Sequence, residues 1–450
     1  MKETLVKDLT KGNVTRQLLI FAMPLLLSNA LQAIYNIVDM IIVGQFIGGS
    51  GMSAVSIGGD VLHLLTFVAM GFSSAGQVLI ARDVGAKNYE SVKNIIGTMF
   101  TFLLIASLSI SVICLIIREP ILNWLNTPAE SFKFTMDYTV TCMVGLVFIY
   151  GYNIVSAILR GMGDSRRPFV FVGIAAILNI VLDLLFVAVF KMEVFGAALA
   201  TVIGQGVSFI ISIIYLYKNK GSFFFDFKLQ SFKIEKNTFS RILALGIPMA
   251  IQAAAVSFSK IVLMSWINMA GVIYSALAGI FNKVNTMSAI VSNSFTTAGS
   301  TMVGQSLGAG KDERIPKILS TVAACGTVVA VIFSAMIIIV PDVVFAAFTS
   351  DVDVLMVAGI LIWPIVLNLF GSATRSISFS IINGSGNTKL NLAVAIIDGI
   401  ISRIGIAALL GFTFKMGCLG FWFGDSIAGF VPIIIGMTFY ISGKWRTKKI

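Results

Sequence analysis

Charged side chains are scarce in this chain of 450 residues: Asp, Glu, Lys and Arg make up only 12% of it, whereas 57% is hydrophobic. Soluble domains carry about 25% charged residues, so the composition argues against an ordinary soluble protein. The single histidine and the four scattered cysteines argue against a His-based metal site and a disulfide framework. The sequence also lacks a Walker A motif, so it offers no nucleotide site to drive a reaction with ATP.

Apolar runs long enough to cross a bilayer recur along the whole chain. They predict an all-α integral membrane protein with twelve transmembrane helices. The predicted spans are 16–43, 54–80, 94–117, 133–159, 168–190, 195–217, 240–268, 275–303, 316–340, 354–382, 391–414 and 418–442.

Lysine and arginine are distributed unevenly between the predicted loops. If the N-terminus is cytoplasmic, the inner segments hold 24 of these residues and the outer loops only 4. Basic residues accumulate on the cytoplasmic side of membrane proteins, so we expect both termini to be cytoplasmic and the protein to lie in the plasma (inner) membrane. The net charge of +11 then reflects topology and predicts no nucleic-acid partner.

The two halves of the chain resemble each other. With a shift of 223 residues, SSAGQVLIARDVGAK (73–87) lies over TTAGSTMVGQSLGAG (296–310), and RGMGDSRR (160–167) lies over NGSGNTKL (383–390). Six helices in each half give both halves the same orientation, which predicts a parallel repeat. We expect a six-helix lobe at 1–217, a cytoplasmic linker at 218–239 and a second lobe at 240–450.

Two aspartates, Asp39 and Asp183, lie inside predicted spans of the first half. A carboxylate at the centre of a membrane helix costs about 3 kcal/mol on insertion scales, so such residues usually face a cavity. Two acids in one apolar pocket can hold a proton near neutral pH, and their oxygens also suit a hard cation such as Na⁺. A plain structural role, in which each acid ties helices together through hydrogen bonds, is the alternative.

The chain resembles the MATE (multidrug and toxic compound extrusion) transporters over essentially its whole length. The resemblance rests on Pro24 with QxxYNxxDxxxVGxxIG (32–48), on GAKNYE (85–90), on AILRGMGDSRRP (157–168), on LNIVLD (178–183) and on GAALAT (196–201). It implies a V-shaped pair of lobes and a monomer. It also implies export of small organic, often cationic, compounds in exchange for H⁺ or Na⁺ by alternating access, with no cofactor.

The DinF-like and archaeal branch of that family lines a cavity in the first lobe with residues that this chain matches by type. The resemblance implies ion coupling by Asp39, Asp183, Asn179 and Thr201, which are also the ligands of a possible Na⁺ site. It places further polar groups in the cavity, and the helical spacing of Gln32, Asn36 and Asp39 puts these three on one face. The additional cavity residues are Gln32, Asn36, Tyr138 and Asn153. Pro24 would kink the first helix.

The second half departs from this pattern. The NorM-like branch carries acids in its seventh and tenth helices, whereas this chain has Lys260 and Arg375 there, so we expect coupling in the first lobe. Lys260, Lys283, Arg375 and Arg403 all fall within predicted spans, where Asp398 and Asp425 could neutralise some of them. If Lys260 and Arg375 line the substrate cavity, they disfavour a purely cationic substrate. No role is predicted for Asp60 and His63.

Two other functions remain open from the residues. The basic second lobe would suit a flippase or exporter of an anionic or lipid-linked solute in the same superfamily. The sequence GMGD (161–164) fits the GxGD pattern of intramembrane aspartyl proteases, but glycines followed by Asp164 and basic neighbours are more typical of a turn. A secondary multidrug antiporter, not an enzyme, is the function that the sequence favours.

Overall fold

The computed structural model of the protein describes residues 6–446, and all regular structure within this range is helical. Twelve long helical elements follow one another along the chain, some of them interrupted by short breaks or π-helical turns. They are α1 (Val14–Ile47), α2 (Gly49–Gly85), α3 (Tyr89–Ile116), α4 (Ala129–Val144 with Leu146–Gly161), α5 (Arg166–Val189), α6 (Glu193–Lys218), α7 (Lys236–Asn268), α8 (Val272–Gly308), α9 (Asp312–Ile339), α10 (Val352–Gly384), α11 (Thr388–Thr413) and α12 (Cys418–Ile441).

A helix therefore occupies each of the twelve predicted positions. Within residues 6–446, ten helices are long and apolar enough to span a membrane, and the bent α4 brings the number to eleven. The remaining element, α8, has 37 residues but is not among them. Polar side chains interrupt it, including Asn282, Lys283 and Asn285. The fold is that of a multi-pass all-α membrane protein, with ten or eleven spans by hydropathy instead of twelve.

The span predicted as one straight segment at 133–159 is bent by 49° between its two parts. Gly145 separates them, and a β-carbon at this position would collide with Val202 of α6. Thr141, at the end of the first part, donates its hydroxyl to the carbonyl of Asp137 at 2.7 Å. Such back-bonding hydroxyls often bend helices, and the glycine lets the bent helix approach α6 closely. A hydropathy profile is insensitive to both the hydrogen bond and the close approach, so it does not predict the bend.

The chain divides into two compact units whose borders fall beside two prolines. One unit holds the described residues up to Asp8 together with Met23–Gly246, and the other holds Leu9–Ala22 and the chain from Ile247 onward. Helices α1 and α7 carry Pro24 and Pro248 in their interiors. Each of these helices therefore belongs to one unit before its proline and to the other from about the proline onward.

Matching contacts in the two units set the register of the repeat. A β-carbon on Gly161 would lie 2.8 Å from the carbonyl oxygen of Gln77, and one on Gly384 would lie 2.8 Å from that of Ser300. The same two glycines also face Ile80 and Val303, respectively. All three pairs are separated by 223 residues, the shift at which the sequence motifs align. Close packing at these glycines is therefore conserved between the halves.

The polar segment before α7 packs against α3 of the first unit. Its aspartate, Asp226, lies 3.1 Å from the ammonium group of Lys93 and accepts a hydrogen bond from Ser231. Phe223 and Phe225 are buried next to each other, with ring centroids 6.2 Å apart. These contacts hold the segment predicted as the linker in a defined conformation.

Candidate functional site

Asp39 of α1 and Asp183 of α5 lie close together in the first unit. Their side chains are 5% and 0% exposed, and their carboxyl groups are near enough to interact electrostatically. Within the described residues, Oδ1 of Asp39 and both carboxyl oxygens of Asp183 have no hydrogen-bond partner. A buried carboxylate without a partner costs several kcal/mol, so a bound proton or cation would stabilise this arrangement.

The side chains of Asn179 and Thr201 meet in the same unit. Asn179 lies one helical turn before Asp183, and its amide N–H donates to the hydroxyl of Thr201 at 3.4 Å. The amide oxygen of Asn179 is buried and has no partner among residues 6–446. Carboxylate, amide and hydroxyl oxygens are the ligands that hard cations prefer. These residues therefore carry oxygen types that suit a proton or a hard cation such as Na⁺.

Helix α5 changes its geometry next to this cluster. Its α-helical part ends at Asp183, and a π-helical turn follows over Leu184–Val189. In the second unit, α11 has a π-helical turn at Leu409–Thr413 and another at Ile397–Ser402, which contains Asp398. π-helical turns are rare in proteins, and those that occur are often found at functional sites. They place a buried aspartate at an irregular point of the helix in each unit.

Tyr138 of α4 lies beside the two acids, and the other predicted cavity residues have different surroundings. Tyr138 is buried and interacts electrostatically with Asp39 and Asp183. Asn153 donates its amide N–H to the carbonyl of Ile149, one turn earlier in its own helix, at 2.8 Å. Gln32 and Asn36 are exposed although their spacing places them near the Asp39 face.

Sequence reasoning missed three residues of this cluster. Tyr35, one turn before Asp39, is buried and shares hydrogen bonds with Gln32 and Gln205 of α6. Cys142 is buried, bonds to Tyr138 and interacts electrostatically with Asp39. Tyr35 stands in the QxxYNxxD motif at i, i+4 to Asp39, and this was the signal that could have identified it. Gln205 and Cys142 carry no motif.

Three of the four basic residues predicted within spans of the second half, Lys260, Arg375 and Arg403, form a largely buried charge network in the second unit, whereas Lys283 is exposed. Nη2 of Arg375 lies 2.7 Å from Oδ2 of Asp398, and Arg403 pairs with Asp398 and Asp425. The predicted neutralisation of Arg403 by these acids is therefore confirmed. Lys260 interacts electrostatically with Asp425, Arg375 and Arg403. Three basic groups thus face two acidic ones in this network.

Three other charged residues lie outside the acid pair and the charge network. Asp164 has a structural role, and no role is evident for Asp60 and His63. Asp164 of the GMGD segment pairs with Arg167 and, at 3.7 Å, with Lys7, and it accepts the backbone N–H of Arg166. These bonds are those of a structural turn at the start of α5. Asp60 and His63 interact with each other on the exposed side of α2, and the structure assigns them no role.

Comparison with known proteins agrees with the fold and with the repeat. The MatE family model matches the chain twice, at residues 24–185 and 248–409. The probable multidrug resistance protein YoeA of Bacillus subtilis is 28% identical over 450 residues, with 98% of this chain and 96% of that protein covered.

Two solved structures have the same fold. A MOP superfamily transporter from Pyrococcus furiosus, described as having a binding pocket of reverse polarity, superimposes with a TM-score of 0.91 at 21% identity over the whole of both chains. A MATE protein in a bent conformation gives a TM-score of 0.88 at 22% identity, with 98% of each chain covered.

Proposed function

The chain belongs to the MatE family, whose members are secondary membrane transporters and not enzymes. We propose that it is a multidrug efflux antiporter. It exports small organic, often cationic, compounds and takes up H⁺ or Na⁺ in exchange by alternating access. Relatives such as YoeA, named a probable multidrug resistance protein, support the substrate class. The strong bias of Lys and Arg to one set of loops supports cytoplasmic termini in the plasma membrane. We expect a monomer without a cofactor.

The observation that carries the proposal is the pair of buried acids. Asp183 and Asp39 interact with each other, and three of their four oxygens are buried without a partner among the described residues. One bound proton or one Na⁺ ion relieves this uncompensated charge, and its release restores it. Coupling requires that the ion bind the outward-facing and inward-facing conformations with different affinity, and we propose that the exposure of this pair of acids changes between the two conformations.

Other residues support the pair. Asn179 and Thr201 supply further oxygens for a Na⁺ ion or hydrogen bonds for a protonated acid, and Tyr138 borders the site. We assign Gln32, Asn36 and Asn153 to the substrate cavity. Pro24 lies where α1 leaves one unit for the other, so we propose that it lets the helix bend when the ion binds.

Transport in proteoliposomes tests the proposal. Vesicles that contain the purified protein are loaded with ethidium, and either a proton or a sodium gradient is imposed. We expect ethidium movement under one of the two gradients and none with Asp39→Asn. Movement under neither gradient, with correctly inserted protein, would reject cation antiport.

The charge network of the second unit favours one alternative. Lys260, Arg375 and Arg403 outnumber Asp398 and Asp425, so an excess positive charge is available to an anionic or lipid-linked solute. An anionic fluorescent probe such as carboxyfluorescein, tested in the same vesicles, distinguishes the two functions. The alternative would be supported if the protein exports this probe but not ethidium, and if Lys260→Gln abolishes export of the probe.

A further inference from the structure

The second unit contains a cavity of about 300 Å³ that no part of the proposed coupling mechanism uses. Helices α8, α9 and α10 form its walls, together with the short helix Pro341–Ala346 that follows α9. Its lining is almost entirely apolar and consists of residues of the second unit, whereas Asp39 and Asp183 belong to the first unit. Ligand sites typically measure roughly 300–1,000 Å³, so the cavity is large enough for a small molecule.

The repeat shows what fills the corresponding place in the first unit. At the shift of 223 residues, Ala373 of the cavity wall corresponds to Tyr150. Tyr150 is 0% exposed, and its hydroxyl donates to the carbonyl of Leu65 at 2.8 Å. Leu65 corresponds to Ser288, which lines the cavity. The cavity therefore occupies the place that a tyrosine ring fills in the first unit.

A second neighbour of Tyr150 leads to the same conclusion. Tyr150 interacts with Cys114 of α3, and the counterpart of Cys114 is Ile337, another residue of the cavity wall. Residues on two different helices around the tyrosine thus have counterparts around the cavity. The correspondence follows from the three-dimensional packing and does not depend on one alignment position.

Two further substitutions between the halves enlarge the space. Leu103, which is fully buried in α3, corresponds to Gly326, and Ile149 corresponds to Ser372. Both Gly326 and Ser372 line the cavity. At Gly326, Ser372 and Ala373 the second unit therefore carries smaller side chains than the first. At Gly326 the neighbouring helix fills part of the difference, because a β-carbon there would lie 3.2 Å from that of Ala373. The cavity of about 300 Å³ is the space that remains.

The wall presents little polarity to a ligand. The hydroxyl of Ser292 donates to the carbonyl of Ser372 at 2.8 Å, and that of Ser376 donates to the carbonyl of Ala373 at 2.7 Å. These groups are therefore already satisfied by the backbone. None of the lining residues is charged. Because a charged group would lose its hydration here without compensation, the interior suits an uncharged ligand.

Flexible side chains lie where the cavity reaches the surface of the unit. Met287 of α8 and Met336 of α9 line it and are exposed, as is Val343 of the short helix. Methionine adapts to irregular shapes and contacts aromatic rings favourably through its sulfur atom. These side chains border the entrance through which a ring would reach the cavity.

We propose that this cavity is a binding site for an uncharged aromatic molecule, whose ring takes the position that the Tyr150 side chain has in the first unit. The missing isoleucine side chain, at Ser372, leaves room for a substituent on the ring. The site is separate from the ion-coupling acids and from the charge network. It does not depend on the proposed antiport, because binding can be measured without transport.

Photolabelling of the full-length protein in detergent tests the site. The probe is a phenol that carries a trifluoromethyl diazirine in the para position, and labelled residues are identified by mass spectrometry. We expect labels on α8, α9 and α10 at cavity residues, with excess phenol as a competitor that suppresses them. Labels that are confined to exposed residues, or that phenol does not suppress, would overturn the proposal.

A matched pair of variants checks the position of the ring. Ala373→Tyr restores the side chain of the first unit, and we expect it to reduce labelling of the cavity by at least about tenfold, equivalent to about 1.4 kcal/mol. Ala324→Tyr makes the same substitution on the exposed side of α9 and should leave labelling unchanged. Equal labelling of wild type and Ala373→Tyr would contradict the proposed location.

A milder variant covers the case in which Ala373→Tyr does not fold. Ser372→Ile introduces only the residue that the first unit carries at Ile149, and we expect at least a threefold loss of labelling. Size-exclusion chromatography identifies folded protein before labelling. If Ser372→Ile is folded and labels like wild type, the proposed site is wrong.

Discussion

Nη2 of Arg375 lies 2.7 Å from Oδ2 of Asp398 in the second unit, where Asp398 has no exposed surface. The carboxyl oxygens of Asp398 and of Asp183, the buried acid of the first unit, both lack hydrogen bonds among residues 6–446, but of the two only Asp398 has ion pairs within the same range, with Arg375 and Arg403. One unit thus compensates its buried acid within the protein. The other leaves compensation to a proton or an ion, and this difference is the physical basis of the proposed division of roles.

The first prediction concerns the two coupling acids. We expect Asp39→Asn and Asp183→Asn to reduce gradient-driven ethidium export to background, since an amide neither binds a proton nor balances a cation. Neither variant should unfold at a lower temperature than wild type, because the amide removes a buried charge that lacks a partner. Export in proteoliposomes and thermal unfolding in detergent measure the two effects. Asp342→Asn, at an exposed position, is the control, and normal export by both test variants would end the assignment.

The second prediction concerns the charge network. Asp398→Asn leaves the buried Arg403 and the partly buried Arg375 with only Asp425 to compensate them, so we expect a loss of about 3–5 kcal/mol in the free energy of unfolding. Adding Arg375→Gln should recover part of that loss, because it removes the guanidinium that has lost its partner. Reversible denaturation in mixed micelles measures these values. A double variant as unstable as the sum of the single variants would argue against direct coupling between the two residues.

The third prediction separates two contributions of Tyr150 to stability, its hydrogen bond and the volume of its ring. Tyr150→Phe removes only the bond to the Leu65 carbonyl, and we expect a loss of about 1 kcal/mol in the free energy of unfolding. Tyr150→Ala also opens a space like that of the second unit, and we expect a loss of about 3–5 kcal/mol. Added phenol should raise the unfolding temperature of Tyr150→Ala more than that of Tyr150→Phe. Equal shifts would mean that the opened space does not bind a ring.

The fourth prediction concerns the segment that packs on α3. A hydrogen bond from the Ser231 hydroxyl, and then the ammonium group of Lys93, lower the pKa of Asp226 below its ordinary value. A carboxylate with a lowered pKa stabilises the folded segment above its unfolded pKa, near 4, and this stabilisation is lost as the pH falls through the folded pKa. Resistance of the segment to pepsin should therefore decrease only in strong acid.

The Ser231→Ala variant tests the cause of that behaviour. It removes the leading contribution to the lowered pKa, so resistance should be lost at a higher pH than in wild type. Ser222→Ala, in the same segment, serves as the control because Asp226 bonds to Ser231, Lys228 and Lys93 and not to Ser222 within residues 6–446. Identical pH profiles for Ser231→Ala and wild type would show that the hydrogen bond does not hold the segment.

Much of the fold follows from patterns that are local in the sequence. Hydropathy places twelve helices, and the structure has a helix at each position, although Asn282, Lys283 and Asn285 make α8 too polar to count as a span by composition. The sequence shift of 223 residues is the shift at which glycine contacts match in space. The rarity of acids in apolar helices also singles out Asp39 and Asp183, which the structure brings together. Their role in coupling remains a prediction.

Composition, helical periodicity and the internal repeat thus determined the class of protein, the order of its helices and the acids of the candidate site. Only the tertiary structure decided the bend at Gly145, the change of unit beside Pro24, the pairing of Arg375 with Asp398 and the cavity at Ala373. The physical reason is that these features depend on which faces of distant helices meet. An ion pair or a space arises between side chains that are far apart in sequence, and an alanine gives no local sign that its neighbours leave room for a ring.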